Sequence, residues 1–191
     1  MANKEPTQIL IAEDSLTQSL ELQLFLENNG FTVAAVTNGI QAMEFLEKEV
    51  PIMVISDIEM PDMDGYELCK AIKIDSRLKD IPVLLLTSLS TPEDIIKGLD
   101  CQANNFFTKP FDKETLLDRV KYIISNREMM TFSRASMNLE VFFAGKKHRL
   151  NVDRIQILEL LLNSYHDMIK QYRKLELSHH ELEGHLKKLQ E

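Results

Sequence analysis

The sequence predicts an α/β domain built on a buried parallel sheet, followed by a hairpin and a long helix. Three observations predict it. Short apolar runs, "QILIA", "FTVAAV", "IMVIS", "PVLLLT" and "NFFT", alternate with helical patterns such as "LTQSLELQLFLENNG", "GIQAMEFLEKE" and "PEDIIKGLD". Strands that are continuously apolar are buried on both faces, the mark of a parallel sheet covered by helices. All six prolines (Pro6, Pro51, Pro61, Pro82, Pro92, Pro110) precede residue 111, and the chain beyond them carries leucines spaced by three and four.

Five βα units fit into residues 5–127. Gly30 closes the first helix, and Thr91-Pro92-Glu93-Asp94 offers an N-cap, a proline at the first helical position and acids in the first turn. Residues 128–152 read as a connector, "EMMTFSRASMN", and a hairpin, "LEVFFAGKKHRLNV", turning around Ala144-Gly145-Lys146-Lys147. Lys146, Lys147, His148 and Arg149 then form a solvated basic tip. Asp153, with Gln156 at the third helical position, caps a helix over 153–191. Its residues Leu158, Leu161, Tyr165, Met168, Tyr172, Leu175, His179, Leu182, Leu186 and Leu189 follow a heptad seam. The helix could span on the order of 55 Å, and an apolar stripe of that length predicts a parallel homodimer. Leu162 and Ile169 widen its first half, which suggests packing on the hairpin or a four-helix bundle. His179 falls on the seam and His180 and His185 off it; no proline follows them, so the reading is structural histidine.

Composition narrows the function classes. A formal charge of -8 and a pI near 5.2 oppose a large nucleic-acid footprint, which needs a basic face. Cys69 and Cys101 have no metal-ligand or disulfide spacing and read as two reduced core thiols. The N-terminus meets acids before an apolar signal stretch is complete, and no run is long enough for a membrane span, so a cytoplasmic location is expected.

The strand ends carry the chemistry. Glu13 and Asp14 follow the first strand, Asp57 the third, Thr87 the fourth and Lys109 the fifth. In a parallel sheet these ends share one edge, where open α/β sheets bind their ligands. Three carboxylates brought together repel, so either their pKa values rise or a divalent cation compensates them. Oxygen-only donors suit Mg²⁺, which keeps several waters and shares a phosphate. Asp57 thereby becomes a candidate nucleophile for phosphoryl transfer. Taken alone, Glu13 or Asp14 would be a turn former or helix cap; the set of five is what points to chemistry.

"IAEDS", "VISDIEMPDMDGYEL", "LLLTS" and "FFTKPF", in this order and spacing, resemble the response-regulator receiver domains of two-component signalling over about residues 7–127. The resemblance implies a flavodoxin-like doubly wound sheet of strand order 2-1-3-4-5. It implies that Asp57 accepts phosphate from a sensor histidine kinase's phosphohistidine. Asp14, Asp57 and the Glu59 backbone carbonyl would bind Mg²⁺, with Glu13 acting through water. Lys109 would contact the phosphoryl oxygens, Thr87 would donate its hydroxyl and move toward them, and Phe106 would turn inward as the aromatic switch. The Lys109-Pro110 bond would be cis. Met60 and Tyr66 read as packing residues. Gln102, Asn104 and Asn105 depart from the family's usual glycine and acids in the loop before the fifth strand. A phosphatase of the haloacid-dehalogenase type would need an aspartate where Glu59 stands. The expected function is thus a phosphorylation-controlled signalling module with no separate turnover activity, relaying through a dimeric helix. The alternatives are a constitutive dimeric scaffold with a vestigial pocket, or a fragment of a larger kinase or cyclic-dinucleotide enzyme.

Overall fold

The computed structural model describes residues 8–87, 97–98, 101, 103 and 105–126, and the backbone of 136–143 and 146–153. The elements run β1 (Gln8–Ala12), α1 (Leu16–Asn28), β2 (Thr32–Val36), α2 (Gly39–Lys48), β3 (Met53–Asp57), α3 (Gly65–Ile74), β4 (Val83–Thr87), β5 (Asn105–Thr108), α4 (Lys113–Ser125), β6 (Ser136–Phe143) and β7 (Lys146–Asp153). Strands β1 to β5 form one parallel sheet of order β2-β1-β3-β4-β5. The chain starts near the middle, steps outward to β2, then crosses back past β1 to β3. This reversal opens a crevice at the carboxyl ends of β1 and β3.

Period-two alternation sorts the strand residues into two cores. Ile9, Ile11, Met53, Ile55, Leu84 and Leu86 pack against Leu22 and Leu26 of α1 and Leu116, Leu117, Val120 and Ile123 of α4. Leu10, Ala12, Val54, Val83, Leu85 and Phe106 pack on the other side, against Ala42 and Leu46 of α2 and Leu68, Cys69 and Ile72 of α3. Both sets are buried, which is why β1, β3 and β4 read as unbroken apolar runs rather than alternating ones. Burying each large side chain stabilises the fold by roughly 1.5–3 kcal/mol before entropy is counted.

Local signals place the helices that cover those faces. Ser15 caps α1, and the helix ends in a Schellman turn: Phe31 N–H donates to the Leu26 carbonyl and Gly30 N–H to that of Glu27, with Gly30 at φ +91°. Asn38 caps α2 by accepting from Gln41 N–H at 2.9 Å. Asp64 and Glu67 form a reciprocal capping box at the start of α3, with bonds of 2.8 and 3.1 Å. Asp112 caps α4.

Cys69 and Cys101, distant in sequence, meet in the core: Cys69 Sγ donates to the Cys101 carbonyl at 3.2 Å, and the two thiols are not joined in a disulfide. Burial, foremost, and the neighbouring Cys101 push the Cys69 thiol well up, which keeps it protonated and unreactive.

Of the helix expected around residues 92–100, Lys97 and Gly98 are described and helical. The N-cap at Thr91, the departures at Gln102 and Asn104, the connector up to residue 135 and the seam from Leu158 to Leu189 lie outside the described residues, as do His180 and His185. The last three connector residues, Ser136, Met137 and Asn138, are strand instead, because they pair with Asp153, Val152 and Asn151. Strands β6 and β7 pair antiparallel from Ser136 opposite Asp153 to Phe143 opposite Lys146. The expected position of the hairpin turn changes here. Lys146 and Lys147 were placed at a turn tip, with His148 and Arg149 beside them, but all four are strand residues, paired with Phe143, Phe142, Val141 and Glu140. Asp153, expected as a helix N-cap, ends β7, an extended conformation that an N-cap also takes.

Candidate phosphoryl-transfer site

Three strands of the sheet deliver charged side chains to the crevice. β1 runs into Glu13 and Asp14, β3 ends on Asp57, and β5 runs on into Lys109. Carboxylate oxygens of Glu13, Asp14 and Asp57 all lie within 4.8 Å of one another. Glu13 is 2% exposed and Asp57 9%, whereas Asp14 faces solvent. The Lys109 ammonium donates to Asp57 Oδ2 at 2.8 Å and to Glu13 Oε2 at 3.0 Å. It also donates to Gln18 Oε1 on α1 at 3.1 Å. The other oxygens are held by backbone: Asp57 Oδ1 accepts from Ile58 N–H at 2.7 Å, and Glu13 Oε1 from Ser15 N–H at 3.2 Å.

The electrostatics follow from this packing. Burial, and secondarily the charge of Asp57, hold the Glu13 carboxyl above its ordinary value, against the Lys109 hydrogen bond that pulls it down. Burial works against the Lys109 charge, yet hydrogen bonds to Asp57 and Glu13 outweigh it and raise the ammonium above the usual lysine value. One cation thus faces three carboxylates, and the cluster still carries excess negative charge. Hard oxygen donors this close fit a small divalent cation.

Close backbone approach fixes Asp57. A Cβ on Gly65 would collide with the Asp57 carbonyl oxygen and come within 2.9 Å of Ile58 Cα, so the start of α3 can seat on the end of β3 only without a side chain. Gly65 N–H in turn donates to the Ile58 carbonyl at 3.0 Å. Glu59 lies two residues beyond Asp57 in this same turn.

Thr87, 5% exposed, sits one residue past Leu86, the register partner of Asp57. Its carbonyl accepts from Lys109 N–H at 2.6 Å, which ties the end of β4 to the residue carrying the ammonium. The Lys109-Pro110 peptide is cis. Phe106 is 6% exposed on the edge strand β5, in register with Leu85, and its ring lies against Gly98. Met60 and Tyr66 pack on the α2/α3 core as expected, and the Lys97 ammonium stands 6.0 Å from the Tyr66 ring centre.

Sequence reasoning missed Gln18. The available signal was its position: Gln18 lies in the first turn of α1, three residues past the Ser15 N-cap and so beside the strand end that carries Glu13 and Asp14.

Residues 9–121 match the response regulator receiver domain family. The DNA-binding dual master transcriptional regulator RpaA of Synechocystis is 35% identical over 138 residues, 72% of this chain and 56% of that protein. The chain therefore spans little more than half the length of that relative. Among solved structures, the receiver domain of a signal transduction histidine kinase from Syntrophus aciditrophicus is 39% identical, with a TM-score of 0.61 over 72% of this chain and 99% of that one. The receiver domain of a Pseudomonas aeruginosa sensor histidine kinase is 25% identical, with a TM-score of 0.59 over 62% of this chain and 98% of that one, and holds magnesium coordinated in its active site cleft. Receiver domains take phosphoryl groups from sensor histidine kinases and bind Mg²⁺ in an acidic pocket. With the matched segment covering more than half of its residues, the chain belongs to the response regulator receiver domain family.

Proposed function

We propose that this chain is a phosphorylation-controlled signalling switch in which Asp57 accepts a phosphoryl group from a sensor histidine kinase. The observation that carries the reading is the meeting of Asp57, Glu13 and Lys109 at three strand ends, with Lys109 bonded to both acids. An Asp57 carboxylate oxygen forms the new O–P bond as the P–N bond of phosphohistidine breaks, and the leaving electron pair stays on the imidazole nitrogen. Lys109 exchanges its contact with Asp57 for one with a phosphoryl oxygen. Asp14, Asp57 and the Glu59 carbonyl would hold Mg²⁺, with Glu13 acting through water; the ion supplies charge neutralisation for the transferring group. Burial of Asp57 and Glu13 keeps that charge in a low-dielectric setting, where each contact is stronger.

Thr87 and Phe106 carry the signal onward in this reading. Thr87 is one residue from the strand position beside Asp57, and it continues the alternation of Val83 and Leu85, the side on which Phe106 lies. Movement of Thr87 toward the phosphoryl group and the ring position of Phe106 are therefore coupled through one packed face.

Incubation with Mg²⁺ and acetyl phosphate is expected to add one phosphoryl group, stable to acid and lost in base, read by intact mass. Chelation by EDTA should prevent it. A chain that gains no mass, or gains it equally with EDTA, sinks the phosphoacceptor reading. Because the chain has no tryptophan, intrinsic quenching offers no readout and mass replaces it.

The dimeric relay belongs to the same proposal and is supported by the heptad seam of residues 158–189. Sedimentation is expected to show a dimer for residues 1–191 and a monomer for residues 1–128. A truncated chain that dimerises as tightly would place the interface on the receiver instead.

A further inference from the structure

We propose that Gln18 is a positioning residue for Lys109 and so sets the rate of phosphoryl transfer to Asp57; the inference rests on the phosphoacceptor reading above. A lysine ammonium has three N–H donors and no acceptor. All three are accounted for here, by Asp57 Oδ2 at 2.8 Å, Glu13 Oε2 at 3.0 Å and Gln18 Oε1 at 3.1 Å. Two of these partners are charged members of the acid cluster. Gln18 is neutral, lies on α1 and faces solvent.

That difference gives it a distinct task. When a phosphoryl group arrives, Lys109 has to give up its bond to Asp57 for one to a phosphoryl oxygen. A second carboxylate in the position of Gln18 would compete for the ammonium with the incoming group. An apolar residue would leave the third N–H to water and let the ammonium swing toward Glu13. The amide oxygen holds Nζ from the α1 side without adding charge, so the ammonium pivots instead of drifting. Its place in the fold supports this: Gln18 lies four residues past Asp14, and α1 side chains lean toward the helix N-terminus, which opens onto the crevice. Gln18 and Lys109 also share the wall of an open cavity of about 480 Å³ between α1 and the segment Pro110–Lys113. A second bond, from the Lys113 ammonium to Glu21, spans the same cavity.

The test measures labelling rates with acetyl phosphate and Mg²⁺ by intact mass, over a range of donor concentrations. Gln18→Leu is expected to lower the maximal rate about five-fold, equivalent to roughly 1 kcal/mol in barrier, and to leave the half-saturating donor concentration unchanged because no charge is altered. Gln18→Glu keeps an acceptor and is expected to raise the half-saturating concentration instead. The decisive arm repeats Gln18→Leu in a Lys109→Met background, followed over longer times, where the substitution should have no further effect. An unchanged rate in Gln18→Leu overturns the proposal, and so does an equal fall in both backgrounds, which marks a general effect on α1. A parent chain that takes no label at all removes the phosphoacceptor reading and this inference with it.

Discussion

Asp57→Asn protein incubated with Mg²⁺ and acetyl phosphate is expected to keep its unmodified mass, a loss of labelling of more than about a hundred-fold. The size of the effect follows from what the substitution changes. Asparagine has nearly the shape of aspartate, and its amide oxygen can still accept the Ile58 N–H bond now made at 2.7 Å. The turn into Gly65 and the seat of α3 are therefore retained. What is lost is the charged oxygen that Lys109 contacts at 2.8 Å, the only one of these groups both on β3 and beside the ammonium. Glu13 is not a substitute acceptor, because its two oxygens are engaged by Lys109 and by Ser15 N–H and it is 2% exposed. Asp14 is exposed but has no ammonium bonded to it among the described residues. Equal labelling of the variant would move the phosphoacceptor to another acid and undo the assignment of Asp57. Circular dichroism should confirm an unchanged fold, since parent and variant bury the same apolar faces.

The parallel sheet could be read from β1, β3 and β4 because full burial writes an unmistakable pattern into five-residue strands. Their order could not, since periodicity says which face a residue occupies and nothing about which strand lies beside it. The order 2-1-3-4-5 came with the resemblance. Asp57, Glu13, Asp14, Thr87 and Lys109 were readable for a simple reason: a strand end is a fixed place on a parallel sheet, so residues far apart in sequence can be assigned to one edge. Side-chain reach is not fixed in that way. Gln18 belongs to the site by a hydrogen bond from a helix surface, and glutamine on an exposed helix face is ordinary composition. The need for glycine at position 65 is set by how near α3 comes to the Asp57 carbonyl, a distance that periodicity does not carry. Lys146 to Arg149 were assigned to a tip because charge clusters are usually solvated, while strand pairing extends the hairpin to their backbone. Cys69 and Cys101 were separated by sequence distance and are joined by the packing of α3 on the segment before β5.

Gly98→Ala is expected to turn the Phe106 ring out of the core and to weaken binding of the phosphoryl mimic beryllofluoride by about ten-fold. A Cβ on Gly98 would meet the ring, coming within 2.5 Å of Phe106 Cζ and closer still to Cε1. The obstacle is the far end of a side chain rather than backbone, so the ring leaves before the helix moves. On propensity alone, alanine in place of a helical glycine stabilises by about 1 kcal/mol. Exposing the Phe106 ring, now 6% exposed among Val83, Leu85 and Cys101, costs roughly 1.5–3 kcal/mol. The cost exceeds the gain, so the variant should be less stable despite its better helix former. Coupling is reciprocal: if phosphoryl binding at Asp57 favours the inward ring through Thr87, then an outward ring disfavours phosphoryl binding by the same factor. Fluorine NMR with fluorophenylalanine in the nine phenylalanine positions reads the ring directly, with Phe106→Leu assigning its resonance. A ring that turns out while beryllofluoride affinity stays unchanged would show that Phe106 is plain core, uncoupled from the site. A resonance that does not move in Gly98→Ala would show that the helix yields instead, and that Gly98 does not decide where the ring sits.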